Sequence, residues 1–180
     1  MTMSCSSTRP MAVRLAWGCA LCLLFGLATG WARAAALDQG DIARVSAVTD
    51  AIRSLEEDVS RTLHDLPEGN AEEIEAYSYV GLNLESAQER LNSVFLLAAV
   101  SIYMESATDQ MQILNLMAKQ ILPASKTFLY QKSDAIASMA VSHPGNRTLA
   151  DYSMRAGAIL NERAVPMLDA LAQKIGDVQP

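Results

Sequence analysis

Beyond its first thirty-four residues the chain holds two histidines, His64 and His143, and no cysteine, because Cys5, Cys19 and Cys22 all lie earlier. That stretch has no side chain for a disulfide, a thiolate metal site, a c-type haem attachment or a Cys nucleophile. Neither histidine belongs to a Glu-x-x-His pair, the spacing by which helical bundles bring two metal ligands to one face. His64 falls on the outward side of its segment and His143 precedes Pro144-Gly145, so both read as surface or structural residues.

Residues 56–75 carry eight acids: Glu56, Glu57, Asp58, Asp65, Glu68, Glu72, Glu73 and Glu75. Carboxylates suit calcium, but no compact Asp-x-Asp loop with a glycine hinge is present. The run reads as a solvated end of the fold, with Glu72 and Glu73 favouring a helix N-terminus. Met104, Met111, Met117, Met139, Met154 and Met167 are too dispersed for a soft-metal site and suit an irregular core. Glu85 and Glu89 stand one turn apart, and Lys119 and Lys126 share a face of a later segment, an arrangement suited to surface salt bridges. There is no Gly-rich phosphate loop, nucleophile elbow or paired-carboxylate signature. The expectation is a protein that is not an enzyme and uses no metal and no cofactor.

The elements that must position these residues are helices. Nothing after residue 35 alternates with period two, and the stretches between turns are rich in Ala, Leu, Met, Gln and Glu. The first helix is expected over about 39–66, with Val45, Val48, Ile52, Leu55, Val59 and Leu66 on one seam, Thr62 filling the remaining place, and Pro67 and Gly69 stopping it. The second spans about 70–105, opened by a capping box of Asn70 and Glu73, with Gly81 and Ser86–Glu89 as places for a bend. Its stripe is Ile74, Tyr77, Leu84, Leu91, Phe95, Ala98 and Ile102. The third covers about 108–141, kinked at Pro123, with Met111, Leu114, Ala118 and Ile121 before the kink and Phe128, Leu129, Ile136 and Met139 after it. The fourth covers about 147–175, kinked at Pro166, with a cap-like Thr148–Asp151 start. Its stripe is Leu149, Tyr152, Ala156, Leu160, Ala164, Met167, Leu171 and Ile175. Short connections between long amphipathic helices predict an all-α, up-down-up-down antiparallel four-helix bundle.

Residues 1–34 read as a signal peptide: Arg9 and Arg14 in an acid-free start, the apolar run 15–28, then Ala32-Arg33-Ala34. The expected cut follows Ala34, with Ala36 as the alternative. An uncleaved anchor is the other reading, but fourteen apolar residues fall short of the ~20 that a spanning helix needs. The same length rule reads the apolar run 94–104 as a buried helix segment, leaving no membrane span after cleavage. Residues 35–180 then form one domain. Losing 1–34 removes three arginines and no acid, so the formal net charge moves from −6 to −9. That charge, and an aromatic set of Phe95, Phe128 and five tyrosines, argues against nucleic-acid binding.

Two surfaces stand out. At 1.5 Å per residue the second helix outreaches the first, so Val100, Ile102, Tyr103, Met104 and Met111 should overhang it as an interaction surface for a protein partner or homodimer. Counting outward from Gly145, Pro123 and Pro166 fall at one height, and two kinks there would open a pocket. Its residues would be Met117, Lys119, Gln120, Leu122, Pro123, Asn161, Arg163, Pro166 and Met167. The functional expectation is an exported, periplasmic or secreted, non-catalytic protein acting through protein–protein contacts, as an envelope adaptor or chaperone-like accessory factor. The alternatives are a periplasmic small-molecule or metal carrier with its site inside the bundle, and a small all-α secreted enzyme.

Overall fold

Asp38 opens α1 (Gln39–His64): its carboxylate accepts from the Asp41 N–H at 3.0 Å, and Asp41 accepts from the Asp38 N–H at 2.9 Å. This reciprocal pair satisfies two of the helix's orphan donors. Leu37 and Ile42, the flanking staple positions, both join the core. The computed structural model describes residues 37–67 and 69–177. The expected signal segment and its cut after Ala34 or Ala36 lie outside the described residues, as does Glu68.

Among the described residues the chain is all-helical, without strands. After α1 comes α2 (Ala71–Tyr103), which runs unbroken through Gly81 and Ser86. A third rod joins α3 (Ala107–Leu116) to α4 (Leu122–Ser142), and a fourth joins α5 (Arg147–Ile159) to α6 (Val165–Gly176). One π-helical turn links the halves of each, Met117–Ile121 in the third and Leu160–Ala164 in the fourth. Among the described residues four helical rods are thus present, as the hydrophobic periodicity predicts. Each rod packs on two others: α1 on α2 and α5, α2 on α4, and α4 on α5 and α6. No described helix is long and apolar enough to cross a membrane.

The prolines explain the π turns. Each sits at the second position of the helix that follows, where its missing N–H and its ring need room in the preceding turn. A widened turn supplies that room: the Leu122 N–H bonds to the Met117 carbonyl and the Val165 N–H to the Leu160 carbonyl, five residues back. The extra residue shifts the apolar stripe. In the third rod the buried series runs Leu114, Met117, Leu122, Ser125, Leu129, with a step of five across the turn. Ala118 and Ile121, expected in the stripe, are only half-buried for this reason. In the fourth rod all eight expected stripe residues are buried, and Val165 and Leu168 join them past the π turn.

Two expected caps are corrected. Asn70 does not cap α2; its amide donates instead to the Glu73 carboxylate. Glu73 is drawn away because Asn146 also donates to it, at 3.1 Å. The fourth rod is capped by Asn146 rather than Thr148, its side chain accepting from the Leu149 N–H at 2.9 Å. Asn146 Oδ1 also accepts from the Tyr77 hydroxyl at 2.9 Å, so one side chain ties α2 to the loop before α5.

Candidate functional site

Register along the α1–α2 pair sets the first surface. Val59 approaches Gly81, and Arg53 and Glu56 approach Gln88, so α2 lies about one turn further along than a count from the 67–69 turn gives. The cause is the first turn of α2, which projects past α1 onto the loop at 143–146, with Glu73 on Asn146 and Glu72 3.5 Å from His143 Nε2. The overhang expected at the far end is therefore largely closed. Gln39 donates to the Tyr103 hydroxyl at 2.9 Å, and Leu37 is buried. Of the five expected surface residues, Val100 and Tyr103 are exposed, while Ile102, Met104 and Met111 are half-buried, Ile102 and Met111 against the core.

An exposed apolar patch remains, turned outward rather than endward. Leu96, Val100 and Tyr103 are 60%, 46% and 72% exposed and follow a 4-3 spacing on the outer face of α2. The same face carries Tyr79 and Leu82 near the other end, with Glu85, Glu89 and Ser93 exposed between. Leu96 and Leu82 were not anticipated, though their spacing from Val100 and Tyr103 was readable.

The internal pocket expected between the prolines is corrected. Asn161 Nδ2 donates to Ser133 Oγ at 2.8 Å. Counting from Gly145 would pair Ser133 with Gly157, so the two rods are offset by about one turn and Pro123 and Pro166 sit at different levels. Lys119, Gln120, Pro123, Arg163 and Pro166 are exposed, whereas Met117, Leu122 and Met167 are buried. The nine residues thus do not wall one space. Asn161 is half-buried, and its Oδ1 has no hydrogen-bond partner among the described residues.

The structure instead opens a groove between α1 and α2, about 300 Å³ in volume, walled by Val59, Leu63, Tyr77 and Leu82. Gly81 makes the room: a Cβ placed there would still lie 3.9 Å from Val59 Cγ1. Glu56 and Glu85 stand at one end of it. Burial, and then the negative charges of Glu85 and Glu57, push the Glu56 carboxyl above its ordinary value, against a smaller opposing effect of Arg53. With its amide nitrogen turned toward Glu56, Gln88 donates to it at 3.1 Å and accepts from Arg53 Nε at 3.3 Å. Among the described residues neither Glu56 nor Glu85 has an ion-pair partner, since Arg53 pairs with Asp50.

The remaining polar groups of the interior hold helices together. Arg90 donates to Ser125 and Lys132 to Asn83, while Tyr152 shares a hydrogen bond with Thr62 and donates to the Asp58 carbonyl. Lys174 binds both Asp38 and Asp41, at 2.7 and 2.6 Å, joining the end of α6 to the start of α1. Among the described residues no three His, Cys, Asp or Glu side chains converge as a metal site. Comparison with family models, with curated proteins and with solved structures finds no match to this chain.

Proposed function

We propose that this chain is an exported, non-catalytic adaptor of the bacterial envelope, folded as an up-down-up-down bundle and acting through a helix of another protein laid along the outer face of α2. The exposed set Leu96, Val100 and Tyr103 carries the reading. Its 4-3 spacing is the seam that one helix offers another. Export is supported by the sequence of residues 1–34, with Arg9 and Arg14 in an acid-free start, an apolar run over 15–28 and the small-x-small site Ala32-Arg33-Ala34. The topology is supported by end-to-end pairs. Lys174 meets Asp38 and Asp41 while Arg155 meets Asp58, which runs the fourth rod against α1.

A different protein fits the seam better than a second copy. Parallel self-pairing would set Glu85 and Glu89 against themselves. Antiparallel pairing that overlays Leu82 on Tyr103 would set Glu85 on Val100 and Glu89 on Leu96, burying carboxylates without partners. Pairing of the 96–103 ends alone covers about two turns, too little for the ~800 Å² per partner of a stable interface. A partner helix with apolar ends and a basic centre meets neither obstacle.

The test is native mass spectrometry of the protein recovered from the envelope, beside a Val100→Glu, Tyr103→Glu variant. The reading expects a chain that starts at Ala35 or Leu37, bound to one other protein, with that complex lost in the variant and the fold retained. A mass that includes residues 1–34, or an unchanged assembly in the variant, contradicts it.

A further inference from the structure

The α1–α2 groove has the makings of a ligand site that adjoins the α2 seam and shares Leu82 and Glu85 with it. Its walls are mostly apolar, with Ser60 and Ser78 among them, and its volume of about 300 Å³ lies at the lower end of the roughly 300–1,000 Å³ of small-molecule sites. Gly81 is what keeps it open. A side chain there would point at Val59 from the middle of a long helix, a position at which glycine is otherwise unfavourable. One end is marked by charge: Glu56 from α1 and Glu85 from α2 line it, and among the described residues neither forms an ion pair. Arg53 offsets the repulsion at Glu56 only in part, and its ion pair is with Asp50 at 3.2 Å. Two carboxylates that repel each other beside an apolar wall gain from a positive group placed between them.

The chemistry selects the occupant. Calcium and magnesium take six or more oxygens, and among the described residues no third His, Cys, Asp or Glu joins the two carboxylates to make a metal site. A neutral apolar molecule would leave the carboxylates as they are. We propose that the groove binds a small organic ammonium compound, its apolar body against Val59, Leu63 and Gly81 and its cationic end between Glu56 and Glu85. Leu82 and Glu85 belong to both the groove and the α2 seam, but Leu96, Val100 and Tyr103 lie outside the groove, so a change at Tyr103 separates the two readings.

The experiment titrates protein purified after expression of the full chain with 4-phenylbutylamine, and with 4-phenylbutanol as its neutral match. Calorimetry follows affinity, and the methyl resonances of Val59 and Leu63 report place. The amine is expected to bind with shifts at both residues, and the alcohol about tenfold more weakly or not at all. Glu85→Gln, an exposed change that leaves the fold alone, should weaken the amine about tenfold and leave the alcohol unaffected. Gly81→Leu should abolish binding by filling the groove, while Tyr103→Glu should not alter it. Absence of amine binding, equal affinity for amine and alcohol, or an unchanged affinity in Glu85→Gln overturns the proposal. If Gly81→Leu fails to fold, the Glu85→Gln comparison still decides.

Discussion

Asp41 is 1% exposed, a carboxylate that the fold keeps inside only because it is fully employed. It accepts from the Asp38 N–H, lies 3.5 Å from Arg44 and receives the Lys174 ammonium at 2.6 Å. Hydrogen bonds from the ammonium to Asp38 and then to Asp41 hold Lys174 above its ordinary value, and Lys174 in turn holds Asp38 below its own. Lys174→Ala leaves Asp41 buried with weaker company and should cost about 1–2 kcal/mol, less than a fully isolated charge because Arg44 remains. The pH dependence follows from the signs. A raised lysine contributes stability below its ordinary 10.5 and loses it as pH climbs through the higher folded value. A lowered aspartate contributes above its ordinary 3.8 and loses it as pH falls through the lower folded value. The difference in melting temperature between wild type and Lys174→Ala should therefore be widest from about pH 4 to about pH 10 and should narrow outside that window. A constant difference across all pH would contradict the clasp.

Gly81 is where residue and element meet. Its backbone is helical and a Cβ finds 3.9 Å to Val59, ordinary contact distance. Gly81→Ala should therefore stabilise α2 by about 0.5–1 kcal/mol, measured by urea denaturation. A destabilising result would mean that the helices approach more closely than described. Helix content was legible from the sequence because long 3.6-residue stripes survive into the fold. The stripe from Leu149 to Ile175 predicted eight residues, and all eight are buried. What was not legible came from events that a uniform count cannot carry. The π turn at Met117–Ile121 adds one residue, so Met117 and Leu122 take the core places expected of Ala118 and Ile121. Asn70 and Glu73 have the spacing of a capping box, but Asn146, distant in sequence, competes for Glu73. Gly81 reads as a bend when only its own helix is considered and as the opening of a groove once Val59 is opposite it.

For the whole molecule, offsets of about one turn between neighbouring rods mattered more than any motif. The first turn of α2 docks on the 143–146 loop, which draws Tyr103 level with Gln39 and closes the expected overhang. The offset between the third and fourth rods separates the prolines and removes the pocket that equal counting had placed between them. Both candidate sites of the sequence depended on register, and register is set by tertiary contacts that lie far apart in the chain. The surviving candidate surface is the outer seam of α2, which rests on exposure and spacing rather than on a count from a turn.

The most direct measurement of that seam is site-specific photocrosslinking in the living envelope, with a photoreactive residue placed in turn at Leu96, Val100, Tyr103 and, as an exposed apolar control on another rod, Met154. The adaptor reading predicts one discrete heterologous adduct from all three α2 positions, none from Met154, and loss of the adduct when Glu85→Lys and Glu89→Lys reverse the charge at the centre of the seam. Adducts of the protein with itself alone, or equal yields from Met154 and the α2 positions, would contradict it.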